Sequence, residues 1–534
     1  TVETVEGERC LLRGPRSQQA PKGGSFGGTW ALESDTQGPD AEACKVFIPR
    51  SSIRSSAGVA LGRTPRSRGR VRRLTPPPAA AMSRLLLLAL LLGICAAAPA
   101  SDVETLEITS ADRKLRALGY RVQIRTSIAV VNTGKAPVSS FTYCEPASHH
   151  RSSAAFEIAS SSSGQRETPL KGALVVLPEA PHNVTCLRFQ LNAPLPPKGT
   201  LDFEVVGVYV GTLEPWPRQA PADAPTLALY RDSAALVSPY PVRQQTFKME
   251  LGRIESVEAP GAEVTTKGQG AEVRAPGATP PFRQLPFAAH FEVVGLFVKG
   301  RSARRRVDVS PVGASQFDEE YEVEHRGAAL KGEWSRLDYI SRTKKYGPGA
   351  VSGLHVTGLP ANAANLYFRD GIGNISSSAV QRTETGVRVL LQPRYPLFGG
   401  WTTDFKFGWS AEGVVAPGPA PGTLTLSITF GPSVTEVAFD EAELKVILPP
   451  GATLLNVELP MEVERRLEVT HDFLSLVGRT VVVLRRPMYV PELNVPLRVT
   501  FKPGGTILEK STAWLVTGAA LVAGASIVRR IASS

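Results

Sequence analysis

Residues Leu424-Thr-Leu-Ser-Ile-Thr-Phe430 alternate apolar and polar side chains without a break. A repeat of two residues puts all the apolar groups on one face, the signature of a half-buried strand rather than a helix. The same period recurs outward from this stretch. Val495, Leu497, Val499 and Phe501 alternate downstream, and Val387, Val389 and Leu391 upstream. Nearer the N-terminus, Val122, Ile124, Ile128 and Val130 alternate with Gln123, Arg125 and Ser127. Leu201, Phe203 and Val205 run on into Val206–Val210, and Phe291–Val298 forms a further strand pattern. Polar or Gly/Pro-rich stretches divide them: Asn132-Thr133-Gly134, Ser160–Gln165, Pro260–Pro281 and Ala411–Gly422. Strands separated by such turns, with few long 3.6-residue patterns, predict a mainly β protein of antiparallel sandwiches.

Two apolar segments frame the β region. Met82–Ala100 (MSRLLLLALLLGICAAAPA) has one basic residue, Arg84, an apolar core over Leu85–Leu92, and small residues at its end. That is the layout of a secretory signal peptide, so the mature chain is expected to start near Ser101. Residues 1–81 show no strand or helix period and read as a disordered or non-native upstream extension. Near the other end, Ala513–Val528 carries no charge and is followed at once by Arg529 and Arg530. This predicts a transmembrane helix over 511–528 with a short cytosolic tail, 529–534, in a single-pass type I protein. Gly518, Ala520, Gly524 and Ser526 give that helix small residues, against which another membrane helix can pack closely.

The intervening chain is long enough for two domains, expected at 101–300 and 301–510. A faint repeat suggests the boundary near Gly300. Asn132-Thr-Gly134, Leu177-Pro-Glu-Ala180, Tyr240-Pro241 and Phe247-Lys248 are followed in the same order by His325-Arg-Gly327, Leu359-Pro-Ala361, Tyr395-Pro396 and Phe405-Lys406.

The formal charge of +11 overstates the basicity of this region. Residues 1–81 hold 13 Lys and Arg against 7 Asp and Glu, and Arg84 adds one more, leaving about +4 for the rest. Nothing there argues for nucleic acid. Of five cysteines only Cys144 and Cys186 lie beyond the signal segment. In an oxidising compartment they suggest one disulfide, although sequence does not reveal whether their Cα atoms approach.

No nucleophile elbow, phosphate loop, dinucleotide fingerprint, HExxH or CxxC occurs, so no catalytic, cofactor-binding or metal residue is expected. His149-His150 reads as part of a solvated, Ser-rich loop. The acidic run Asp318, Glu319, Glu320, Glu322, Glu324 reads as a solvent or interface face, with Arg304-Arg305-Arg306 balancing it. Asn183-Val-Thr185 and Asn374-Ile-Ser376 are glycosylation acceptors once the chain enters the secretory pathway, which places both loops on the lumenal surface.

Tyr367-Phe-Arg-Asp-Gly-Ile-Gly-Asn-Ile-Ser376 and Gln392-Pro-Arg-Tyr-Pro-Leu-Phe-Gly-Gly-Trp401 strongly resemble the ribophorin I family. His325-Arg-Gly-Ala-Ala-Leu-Lys-Gly332, Ser335-Arg336, Asp338-Tyr339, Ser238-Pro-Tyr-Pro241 and Val446-Ile-Leu-Pro449 support the likeness. The resemblance runs from about Thr105 to the C-terminal span and is clearest in the second half. It implies an accessory, non-catalytic subunit of the oligosaccharyltransferase of the endoplasmic reticulum membrane. That complex moves a preassembled glycan from dolichol diphosphate to Asn of Asn-X-Ser/Thr in nascent chains. The chemistry and its divalent metal belong to another subunit, so no cofactor is expected here. The implied partners are the other subunits, the catalytic one included, the protein-conducting channel, and nascent chains. Some family members approach the ribosome through a cytosolic portion; here the chain runs only five residues past Arg529, which speaks against that contact.

A type I receptor or adhesion protein would share the topology and the sandwiches, but would reside at the plasma membrane. Within the family-like stretch, Pro393 and Pro396 hold the chain extended around Arg394 and Tyr395. Gly399-Gly400 permits a turn before Trp401, whose ring is expected to pack on a neighbouring sheet. This stretch therefore reads as a structural corner rather than an active site.

Overall fold

Alternating burial runs through the chain as the period-two patterns require. In Ser315–His325 every odd-numbered side chain is buried and every even-numbered one half-buried. The computed structural model describes residues 105–162, 165–341, 347–471, 477–504 and 507–532. The segments expected at 1–81 and 82–100 lie outside the described residues.

The protein is mainly β. One large sheet takes strands from the first half of the described chain: β1 (Leu106–Leu118), β2 (Arg121–Asn132), β3 (Ser153–Ser162), β4 (Thr200–Val210), β5 (Val242–Glu250), β6 (Glu263–Lys267) and β7 (Gly270–Arg274). Their order across the sheet is β6-β7-β5-β1-β2-β4-β3, with Gln165–Pro169 beyond β3. A second large sheet uses β8 (Val298–Asp308), β9 (Ser315–His325), β10 (Ala364–Asp370), β11 (Thr402–Ala411), β12 (Ala438–Ile447), β13 (Glu464–Thr470) and β14 (Arg479–Tyr489). Its order is β13-β14-β12-β8-β9-β11-β10, the first order repeated strand for strand.

Each large sheet faces a four-stranded one, and these too share an order. Ile254–Glu258, Pro286–Glu292, Leu227–Ser233 and Leu213–Pro215 lie side by side in the first half. Thr453–Glu458, Pro496–Lys502, Leu424–Thr429 and Val415–Pro417 do so in the second. Of the four motif pairs that hinted at a repeat, Asn132–Gly134 and His325–Gly327 fall at matching places, the ends of β2 and β9. The other three pairs fall on strands or turns that do not correspond. Phe247 lies on β5, for example, whereas Phe405 lies on β11.

The expectation of antiparallel sheets needs one correction in the large sheet of each half, besides a short parallel pair of Gln219–Ala220 with Ala329–Leu330. β1 pairs parallel with β5, and β8 pairs parallel with β12. A tight hairpin cannot make a parallel pair; here the connection is the rest of the unit, more than a hundred residues long. Register slips between Ile108 and Ser110 in β1 and between Gly300 and Ser302 in β8, so the two sheets also bulge at matching points.

One buried core draws only on Val298–Phe501, with Phe317, Phe407, Phe430 and Phe439 among its largest members. Two others draw on Leu106–Val242 and Leu115–Phe297. A small cluster of Ala154, Val208, Ala438 and Val490 joins the halves, beside an ion pair of 2.9 Å between Arg121 and Glu492. Cys144 and Cys186 sit opposite one another on neighbouring antiparallel strands, joined by a disulfide with S–S 2.01 Å.

Besides smaller two- and three-stranded sheets, the described residues form three α-helices: α1 (Ala147–Ser152), α2 (Arg336–Ser341) and α3 (Ile507–Ala532). Among the described residues no helix is long and apolar enough to cross a membrane.

Candidate functional site

The stretches at 325–332, 367–376 and 392–401 are distant in sequence and meet in space. Asp370 ends β10, and its Oδ1 accepts hydrogen bonds from the backbone N–H of Ile372 and of Gly373, both at 3.0 Å. Arg394 closes on the same carboxylate as a fork, Nε to Oδ2 at 2.6 Å and Nη2 to Oδ1 at 3.0 Å. Nη2 also donates to the carbonyls of Gly373 at 3.1 Å and Asn374 at 3.2 Å. The Arg394 fork, then the backbone N–H donors, hold the Asp370 carboxyl below the usual carboxylate range, although burial opposes them. The same bonds raise Arg394. This one guanidinium thus fixes the main chain of the loop at Gly373 and Asn374.

The corner beyond Arg394 is made by backbone proximity. A Cβ on Gly399 would lie 2.1 Å from the carbonyl oxygen of Ala328 and 2.3 Å from that of Gly327. Gly400 adopts φ +83°, a conformation that disfavours any side chain. The turn is tied to β9 by Gly400 N–H to the His325 carbonyl at 2.8 Å and His325 N–H to the Trp401 carbonyl at 2.9 Å. His325 is buried, and its Nδ1 accepts from Gly327 N–H at 3.1 Å. Burial pushes its pKa down to about 4.

Trp401 is half-buried, packs against the core of the second half and sits in an aromatic group. Its ring meets Phe398 at 5.2 Å, Trp334 at 5.7 Å and Tyr395 at 6.1 Å, all edge to face. Trp334 escaped the sequence reading because a lone tryptophan before a short helix carries no periodic signal. Asn374 and Asn183 both have exposed side chains.

The acidic run splits between two environments because β9 alternates. Asp318, Glu320, Glu322 and Glu324 face outward, whereas Glu319 is buried. A line of directly opposed residues crosses all seven strands on the outer face: Arg369, Lys406, Glu320, Arg304, Glu443, Arg485, Glu464. From Lys406 onward its charges alternate in sign, and Lys406 bonds directly to Glu320. Opposed charges on neighbouring strands stabilise a sheet, so this run is engaged in its own face.

Inside, Glu319 pairs with Arg305 at 3.0 Å and accepts from Ser433 Oγ at 2.7 Å. Arg305 also donates to the carbonyls of Thr429 and Gly431. The first half carries Arg113 at the matching place, five residues past the same bulge. It pairs with Asp232 at 3.0 Å and donates to the Ser233 carbonyl at 2.7 Å. Sequence reading found neither pair: alternation puts Arg113 on the face of Ala111 and Leu115, and Arg305 on that of Ala303 and Val307, but it does not name the acid that meets them.

The solvated-loop reading of His149-His150 is wrong. The pair lies on α1, and His149 is buried, with its ring 4.8 Å from that of Tyr209 and Nε2 3.7 Å from Asp232 Oδ1. His150 Nδ1 lies 3.1 Å from Glu145, which also accepts from the Tyr209 hydroxyl at 2.9 Å. Asp232 comes from a strand far away in sequence, whereas Glu145 lies five residues before His150 and was overlooked. Among the described residues no group of three or more His, Cys, Asp or Glu is placed to hold a metal ion.

The chain matches the family Ribophorin I over residues 106–528. It belongs to that family. Over 430 residues it is 33% identical to an Arabidopsis thaliana dolichyl-diphosphooligosaccharide--protein glycosyltransferase subunit 1B, covering 78% of this chain and 90% of the relative. Subunit 1A of the same plant is 31% identical, covering 80% of this chain and 70% of its own length. Subunit 1 of Caenorhabditis elegans is 34% identical over 228 residues, 42% of this chain and 38% of the relative. Among solved structures, an M1 zinc metallopeptidase from Deinococcus radiodurans aligns with 39% of this chain and 49% of its own. Its TM-score of 0.21 and 13% identity carry no argument. The stretches that resemble ribophorin I in sequence are thus those that the Arg394 fork and the Gly399 corner bind together.

Proposed function

We propose that this chain is an accessory, non-catalytic subunit of the oligosaccharyltransferase complex, resident in the endoplasmic reticulum membrane. The carrying observation is family membership over nearly the whole described chain, with relatives named as subunit 1 of the glycosyltransferase. The chemistry of the acidic residues supports a scaffolding role. Asp370 is locked by Arg394, Glu319 by Arg305, and Glu320 by Lys406, so each carboxylate is engaged in holding the fold.

The recurring strand order supports two tandem lumenal domains with a boundary near Gly300. Residues 511–528 are the proposed membrane anchor. The side chains of residues 516–532 are all exposed, Val516, Leu521 and Val522 among them, and the uncharged run continues N-terminally through Ala513. A helix apolar on every side is stable only when covered by protein or lipid. Asn183 and Asn374 are proposed glycan acceptors.

Purification of the tagged full-length protein in mild detergent tests the reading. The catalytic subunit of the transferase should co-purify in stoichiometric amount. A protein recovered alone from the plasma membrane, with mature complex glycans, would instead be a receptor or adhesion molecule.

A further inference from the structure

The chain leaves the second half along the strand Pro496–Lys502 and enters α3 at Ile507. At this exit Gly504 backs onto Gly451, where an added Cβ would stand 2.7 Å from the Gly451 carbonyl carbon. Gly451 N–H donates to the Gly478 carbonyl at 3.3 Å, and Gly478 in turn lies against the Val469 side chain. Large aliphatic groups stand in the open here. Val469 is 65% exposed, Leu467 55% and, near the start of the strand Thr453–Glu458, Leu455 53%. Glu468, between the first two, points to the other face of β13. The β8–β9 turn belongs to the same end, since Val309 N–H donates to the Ile447 carbonyl at 3.0 Å and Leu448 N–H to that of Thr480 at 2.9 Å. In this turn Val312 is 89% exposed. Ser310 Oγ donates to the Val312 carbonyl at 2.7 Å, and Ser310 N–H to Ser315 Oγ at 3.1 Å. Neither 309–314 nor 448–453 carries a charge.

The repeat supplies a built-in comparison. The first half is left by the matching strand, Pro286–Glu292, and there Gly252 backs onto the Glu292 carbonyl as Gly451 backs onto Gly504. The β1–β2 turn, which corresponds to the β8–β9 turn, is covered. Gly119 and Tyr120 donate their N–H groups to the carbonyls of Val294 and Leu296 at 3.0 and 3.2 Å. Tyr120 is buried and meets Phe297 edge-on at 5.4 Å. The departing chain thus seals the first half with the residues that lead into β8. The second half departs into a helix instead, and its Val312 turn stays bare.

We infer that this end of the second half rests on the lipid surface, with Val312, Leu467 and Val469 seated at the boundary of headgroups and acyl chains. The inference depends on the proposed anchor at 511–528 and adds to it a second, peripheral contact. The tether decides the occupant. From Gly504 the chain reaches Trp514, near the lumenal end of the uncharged run, in ten residues. Three extended steps of about 3.5 Å and seven helical ones of about 1.5 Å hold the exit within roughly 20 Å of that tryptophan. Tryptophan is enriched at the membrane–water interface, so the bare end and the interface are neighbours. The Val312 turn has no charge, and its serine is bonded within the turn. It can enter the headgroup layer without stranding an ion or an unmet hydroxyl.

The full-length protein would be reconstituted in phosphatidylcholine nanodiscs and labelled with a fluorophore at one introduced cysteine at a time: Val312→Cys, Leu467→Cys, Ile372→Cys or Val516→Cys. Ile372 is also exposed but follows β10, whose first residue, Ala364, opposes Ser410 at the Val312 end, so it marks the far end of the sheet. Lipid with a quenching doxyl group just below the headgroup should quench the Val312→Cys and Leu467→Cys labels about threefold more than the Ile372→Cys label. The Val516→Cys label reports the anchor itself. Equal quenching of the first three labels, with strong quenching of the Val516→Cys label, would overturn the inference and leave the anchor standing. Weak quenching of the Val516→Cys label would remove the anchor and the inference with it. Shielding of the Val312→Cys label only once other subunits are bound would assign this face to a protein partner and overturn the inference as well.

Discussion

Arg394 grips Asp370 through two parallel hydrogen bonds, 2.6 and 3.0 Å long, and joins segments 24 residues apart into one rigid corner. Forked arginine–carboxylate pairs fix direction as well as distance, which a single ammonium contact does not. Arg394→Ala should therefore free the 371–376 loop and raise its cleavage by added protease. Glycan transfer per assembled complex should be unchanged. A complex that assembles normally yet transfers no glycan would show that this subunit takes part in the chemistry. The fork should hold above the ordinary Asp range and weaken as pH falls through the lowered value of Asp370, so protease sensitivity should rise only in strong acid.

Trp401 contacts three aromatic rings yet remains half-buried. Its truncation to Ala should cost about 2 kcal/mol, below the roughly 3–5 kcal/mol of a fully enclosed ring. Urea denaturation of the purified variant measures the difference. A loss within experimental error would mean the aromatic group contributes nothing to the corner.

His325 gives the second half a defined acid sensitivity. Its pKa falls to about 4 when folded, against about 6.5 in the unfolded chain, so the folded state favours the neutral ring. Stability from this group is present above pH 6.5 and is lost as pH falls toward 4. Between pH 7 and pH 5 the loss is about 2 kcal/mol. His325→Gln should flatten that part of the stability–pH curve, as followed by thermal melts at the two pH values.

Glu319 and Glu320 are neighbours with opposite fates. Removing Glu319 strands a buried guanidinium, so Glu319→Ala should cost about 3–5 kcal/mol. Glu320 sits in the outward ladder with its side chain about half exposed (47%), and Glu320→Ala should cost less than about 1 kcal/mol. Equal losses in a denaturant series would contradict the assignment of faces along β9.

Alternation made the strands legible. Leu424–Thr429 is a strand, and Val122–Val130 and Leu201–Val210 lie within strands, because burying one face fixes the period of two. It did not reveal partners. The parallel pairing of β1 with β5 depends on the course of more than a hundred residues, and nothing in either strand encodes it locally. The same limit hid the site. Asp370 and Arg394 both lay in family-like stretches, but only the fold shows that one holds the other. His149 was misread because its surroundings, Tyr209, Tyr230 and Asp232, come from elsewhere in the chain.

The two buried arginines also set how the molecule bears load. Arg113 on β1 is fastened to Asp232 and Ser233 of the facing layer, and Arg305 on β8 to the carbonyls of Thr429 and Gly431 at the end of its facing strand. Each half is thus riveted across its two layers at the same point. Apolar contacts between layers can slide past one another, whereas a guanidinium cannot leave its carbonyls without crossing an apolar interior unpaired. Under a pull along the strands the layers of each half should shear as a unit. Yielding would begin in the turns and at the free edges, with the rivets last to fail.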